Sequence, residues 1–188
     1  METNWANWLD DYYKRYEKGF SPEIYDTLIE FKDLALKTKD AGGKLIFNGN
    51  GASSAISSHC ALDFTKQGGI RSVTFSDASF ITAYGNDYGY ELWLSKALEH
   101  HADPADAVVL ISVSGTSPNV VSAAKTARDM DLPVVTFTGK TADNPLRALG
   151  TLNFWMDSAS YNVVEAVHMI WITTVVDMII GKAEYSVS

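Results

Sequence analysis

The 188-residue chain contains one cysteine, Cys60, which excludes an intrachain disulfide framework and any zinc cluster built on several thiolates. It is also short of positive charge: 15 lysines and arginines stand against 23 aspartates and glutamates, for a formal charge of −8. That balance disfavours a nucleic-acid backbone or an anionic bilayer as the main partner, because both attract basic surfaces. Neither of the two loops rich in small hydroxyl residues, 48–54 and 112–119, ends in Gly-Lys-Ser/Thr, and the first has Ser54 where a dinucleotide fingerprint needs its third glycine. No nucleotide cofactor is therefore expected. Internal repeats and low-complexity segments are lacking too. The opening residues, METNWANWLDDYYKRY, are polar and acidic rather than basic and then apolar, so the expectation is a soluble, cytoplasmic protein without a secretory leader.

Apolar residues are plentiful, at 46% of a chain the length of one α/β domain. The longest apolar stretch, Val163 to Ile180, is interrupted by Glu165, His168 and Asp177. Three ionisable groups would make bilayer insertion costly, so the stretch reads as a helix buried in protein and stopped by Gly181. Ahead of it, short β-rich runs at 44–47, 73–76, 107–112, 133–138 and 152–156 alternate with helical segments, the clearest being Ser117 to Met130. Near-continuous apolar strands alternating with helices predict a doubly wound, five-stranded parallel sheet covered on both faces. Residues 1–41 differ. Trp5, Trp8, Leu9, Tyr12 and Tyr16 recur at helical spacing, and Ser21-Pro22 reads as the cap and first position of a second helix. The predicted organisation is a helical arm over 1–41, packed on its own domain or building an interface between copies, and one domain over 42–188.

Two strand-to-helix loops concentrate small hydroxyl residues, Asn48 to Ser54 and Ser112 to Asn119. Hydroxyls beside unpaired backbone N–H groups at a helix start can hold a phosphate without lysine. If strands one and three are neighbours, as in the order 2-1-3-4-5, both loops face the crevice where open α/β sheets bind ligands. Simple helix capping by Ser117 or Thr116 is the plainer reading of the second loop. Ionisable pairs at helical spacing are His59 with Asp63 and Glu165 with His168. Carboxylates and imidazoles suit proton transfer, and also suit zinc. The alternative is a local hydrogen bond or surface pair for His59 with Asp63, and for Glu165 with His168 a buried pair with each other or with a neighbouring subunit. His100 and His101 are expected in an exposed turn, and Cys60 as a buried small residue.

The two loops, together with Ser76-Asp77, the stretch Tyr84 to Gly89, Thr138-Gly139-Lys140 and Val167-His168-Met169, resemble the sugar isomerase (SIS) domain family in collinear order over residues 43–181. Within that family they are most similar to phosphoheptose isomerases. The resemblance implies enediol-type aldose–ketose isomerisation of sedoheptulose 7-phosphate to a heptose 7-phosphate, feeding nucleotide-activated heptose for lipopolysaccharide or capsule. It also implies a homotetramer with the N-terminal helices in its centre. It places Ser53, Ser112, Ser114 and Ser117 on phosphate-binding positions, and Asn50, Gly51 and Asp87 beside the sugar. Val113 replaces a threonine between two of the serines.

The resemblance further implies a zinc ion with His59, Asp63 and Glu165 as ligands, Glu165 standing where the family has glutamine. The family's last ligand, a histidine, falls at Thr173. His168, about 60° around the helix from Glu165, is the nearest replacement. Asp63 is then the expected base, with Glu165 as ligand or second base and His168 as ligand or proton donor. A bacterial replication-initiation regulator shares much of the pattern without being an isomerase. The alternative is therefore a non-catalytic phosphosugar-binding or regulatory protein on the same fold.

Overall fold

The computed structural model describes residues 3–186. After α1 (Trp5–Lys14) and two short 3-10 turns, α2 (Tyr25–Asp40) leads into an alternating series. The series runs β1 (Leu45–Gly49), α3 (Ala52–Lys66), β2 (Ser72–Thr74), α4 (Ala78–Tyr88), α5 (Trp93–His101) and β3 (Ala107–Ser112). It continues with α6 (Pro118–Asp129), β4 (Val134–Thr138), β5 (Leu152–Trp155) and α7 (Tyr161–Ile180). The five strands are all parallel, in the order β2-β1-β3-β4-β5.

Strand periodicity divides the core into two layers. Leu45, Phe47, Val109, Ile111, Val135 and Phe137 point to one face, where they meet α2, α3 and α7. Ile46, Val108, Leu110 and Val134 point to the other, under α5 and α6. The amino ends of β1 and β3 are held by a buried carboxylate. Asp106 accepts hydrogen bonds from the Lys44 backbone at 2.8 Å, the Lys44 ammonium at 2.6 Å and the Asp103 backbone at 2.8 Å.

Two expectations need correction. The second strand is shorter than 73–76, because the Phe75 N–H donates to the Asn48 side chain at 3.1 Å instead of continuing the ladder. His100 and His101 close the last turn of α5, with Tyr84 Oη 2.9 Å from His100 Nδ1. Within residues 1–41, α1 buries no residue, whereas α2 packs on its own domain, burying Leu28, Phe31, Ala35 and Thr38 in the layer shared with α7.

By length and composition α7 could cross a membrane. Here its Val163, Val167, Trp171 and Val175 are buried in the layer it shares with α2 and α3.

The Phe31 ring lies 5.8 Å from Phe64, 6.0 Å from Phe137 and 5.9 Å from Phe154, so α2 is joined to the sheet through aromatic contacts. Phe31→Ala is expected to cost about 3–5 kcal/mol, read as a lowered midpoint in denaturant melts. A loss below about 1 kcal/mol would mean that α2 is an appendage.

Candidate active site

Because β1 and β3 are paired from Leu45↔Ala107 to Gly49↔Ile111, their following loops emerge side by side. Gly49 permits that closeness: a Cβ there would lie 2.6 Å from Ser53 Cβ and 2.7 Å from the Ile111 carbonyl oxygen. The loops are then tied by a reciprocal amide pair. Asn50 Nδ2 donates to Asn119 Oδ1, and Asn119 Nδ2 to Asn50 Oδ1, each at 2.9 Å.

Between them lies a cavity of about 120 Å³, lined by Asn50, Ser53, Ser112, Ser114, Ser117 and, from α7, Tyr161 and Glu165, with Ile111 and Val113 as apolar walls. Ser112 Oγ and Ser117 Oγ are 3.3 Å apart. Ser114 Oγ accepts from Thr116 N and Oγ1, at 3.3 and 3.1 Å. Gly115 adopts φ 64°, and a Cβ there would collide with Asn144, so this serine turn keeps its shape only with glycine. Pro118 opens α6 with Ser117 at its cap position, and the Ser117 side chain makes no capping bond. Its hydroxyl remains available to the cavity.

Glu165 is the one expected acid–base residue that lines this cavity. Partial burial raises its carboxyl above the ordinary carboxylate value. Four other expected residues lie elsewhere. Asp63 is ten residues beyond Ser53 on α3, about 15 Å along the helix axis. There its Oδ2 lies 3.2 Å from His59 Nε2 and its Oδ1 accepts from Gln67 at 3.3 Å. Gly51 is the exposed cap position of α3, and Asp87 is exposed on α4, accepting from Asn86 at 2.9 Å.

His168 corrects an expectation. It is fully buried, 3.0 Å through Nε2 from the Thr138 carbonyl oxygen, with its ring between Phe137 and Trp171. Its Nδ1 has no partner. Burial pulls its pKa down to about 4, so the ring is neutral and Nε2–H donates. Its three-residue spacing from Glu165 carries it off the cavity side and into the core.

The zinc implied by the resemblance does not fit these residues. Among the described residues no three His, Cys, Asp or Glu side chains are grouped to hold a metal ion. The Thr173 hydroxyl donates to its own helix at Met169 and Ile170, 3.0 and 3.1 Å away. Cys60 offers no substitute: burial, and then the nearby Asp63 charge, push its thiol up to about 12.

Sequence reasoning missed Tyr161 and gave Lys140 no role beyond its place in a family-like stretch. Lys140 Nζ donates to Tyr161 Oη at 3.1 Å and sits 4.4 Å from the ring centroid. The four-residue spacing of Tyr161 and Glu165, one helical turn apart, was the available signal.

The SIS domain model matches residues 11–139. The chain is 35% identical to a phosphoheptose isomerase of Helicobacter hepaticus over 78% of each chain. It is 35% identical to one of Trichlorobacter lovleyi over 74% of each. The chain belongs to the SIS domain family. Among solved structures, the phosphoheptose isomerase of Neisseria gonorrhoeae superimposes with a TM-score of 0.84 at 26% identity, covering 93% of this chain and 95% of that one. That of Francisella tularensis gives 0.85 at 20% identity, covering 95% and 98%, and shows the fold.

The buried imidazole has a measurable consequence in this SIS domain. A histidine whose folded pKa is depressed contributes full stability above its unfolded value near 6.5 and loses it as pH falls toward about 4. Acidification across that window should cost roughly 3 kcal/mol. In thermal melts from pH 7 to 4, His168→Gln should lose this part of the acid sensitivity, and an unchanged profile would contradict the assignment.

Proposed function

We propose that the chain is an aldose–ketose isomerase acting on a phosphorylated sugar, of the phosphoheptose type, converting sedoheptulose 7-phosphate to D-glycero-D-manno-heptose 7-phosphate. One observation carries the reading: hydroxyls from both loops and a single carboxylate, Glu165, line the same cavity. Neutral donors can take up a phosphate dianion in a protein of charge −8, and the carboxylate then faces the sugar end of the ligand. The cavity has room for the phosphoryl end, with the rest of the heptose extending outward past Asn50 and Tyr161. Isomerisation moves one hydrogen between adjacent carbons and one between their oxygens, so a base and a proton donor suffice.

The reading extends to a cytoplasmic homotetramer serving surface-polysaccharide synthesis. Support for the assembly comes from apolar surface: Trp5, Trp8, Leu9 and Tyr13 on α1 and Met169 and Ile170 on α7 are all more than a third exposed. Light scattering should give four times the 20.6 kDa chain mass, and a monomer would refute the assembly.

Activity is tested by following sedoheptulose 7-phosphate turnover by NMR. Ser114→Ala is expected to raise KM about tenfold while leaving kcat nearly unchanged, as for a lost hydrogen bond to a charged group. A Ser112→Ala/Ser114→Ala variant with the parental KM would remove the phosphate assignment. Tight phosphosugar binding without turnover in the parent protein would favour the regulatory alternative.

A further inference from the structure

We propose that this chain isomerises its substrate without a metal ion, using Glu165 as the proton-transferring base and the Tyr161 hydroxyl, backed by Lys140, as the donor to the sugar oxygen. The inference rests on the isomerase reading above and assigns the groups that carry out its chemistry.

The donor set argues against zinc at each position. Thr173 presents an alcohol already engaged with its helix, and His168 is sealed in the core with Nε2 on Thr138. His59 and Asp63 are paired with each other. Glu165 is left as a lone carboxylate, with no ion pair or hydrogen bond among the described residues. A single carboxylate is a poor zinc site and a sufficient base.

What a metal would supply, a positive centre at the enediolate oxygen, has a substitute in the cavity wall. Tyr161 stands one helical turn before Glu165 and lines the same cavity. Its oxygen accepts from the Lys140 ammonium at 3.1 Å, leaving its own O–H free to donate. Lys140 is held in turn. It adopts φ 52°, its N–H donates to the Ser158 carbonyl at 2.9 Å, and it lies two residues after Thr138, whose carbonyl receives the buried His168. The buried histidine thus anchors the turn that delivers the lysine.

The step balances without an oxidant. The Glu165 carboxylate takes a proton from C1 of the ketose, and the C–H electron pair becomes the C1–C2 double bond. The C2 carbonyl electrons move to O2, which receives the Tyr161 proton. The O1 proton then returns to the tyrosyl oxygen as the C1 carbonyl forms, and the double-bond pair takes the proton from Glu165 at C2. Lys140 acts through Tyr161 and is a positioning residue.

The test combines metal analysis with turnover and deuterium wash-in at C1 in D2O. The native protein, equilibrated with zinc and desalted, should hold well below one zinc per chain and keep its turnover after chelation. Glu165→Gln should lose roughly 10³-fold in kcat and abolish wash-in. Tyr161→Phe should lose roughly 10²-fold in kcat. Both should retain phosphosugar binding and thermal stability. Lys140→Met should lower kcat at constant KM, with Lys140→Arg restoring part of it. Turnover that appears only with zinc, or that survives in Glu165→Gln, overturns the inference and leaves the isomerase reading standing. Absence of turnover with and without zinc overturns both.

Discussion

The lateral pairing of β1 with β3 is the constraint on which the rest depends. Two strands far apart in sequence become hydrogen-bonded neighbours over five residue pairs, and the chain leaves them toward opposite sides of the sheet. The gap between the departing loops cannot be filled by the sheet itself, so it is available to a ligand. Both loops are rich in hydroxyls for the same reason: backbone N–H groups at the starts of α3 and α6 lack intrahelical partners, and small polar side chains reach where bulky ones would fill the gap. Asp106 secures the opposite, amino end of the same strand pair through Lys44.

The long helix α7 has two functions that conflict chemically. One side must be apolar enough to cover the sheet, while its first turns must present ionisable groups to the cavity. The conflict is resolved along the axis as well as around it. Tyr161 and Glu165 occupy the end nearest the strand termini, and from Val167 onward the inward side is given over to packing. His168 sits at the changeover. It is polar, buried and neutral, and it is tolerated because one ring nitrogen satisfies a strand-end carbonyl.

The layered sheet was legible in the sequence because apolar runs of four to six residues leave little choice of element; the strand order was an assumption, from which the meeting of the two hydroxyl loops followed. The serines came from the family resemblance, and Ser53, Ser112, Ser114 and Ser117 do line one cavity. What the sequence obscured was direction. Asp63 and Ser53 lie on one helix, and linear proximity hid the fact that ten residues of α-helix carry a side chain about 15 Å along the axis. His168 and Glu165 looked like a pair because three residues bring side chains near one another, yet a change of 60° separates a cavity wall from a core. Tyr161 was hidden by its ordinariness, since an aromatic residue at a helix start carries no motif, and only the fold brings Lys140 to it.

The crossed amides of Asn50 and Asn119 have a mechanical consequence. Two loops that belong to different strands and different helices are stapled by a pair of bonds that neither can break without stranding its partner's polar groups, Asn119 being almost wholly enclosed. Drawing the two jaws of the cleft apart would therefore have to break both bonds. A cleft braced in this way favours recognition by fixed spacing, a gauge set before a ligand arrives rather than a clasp that closes around it.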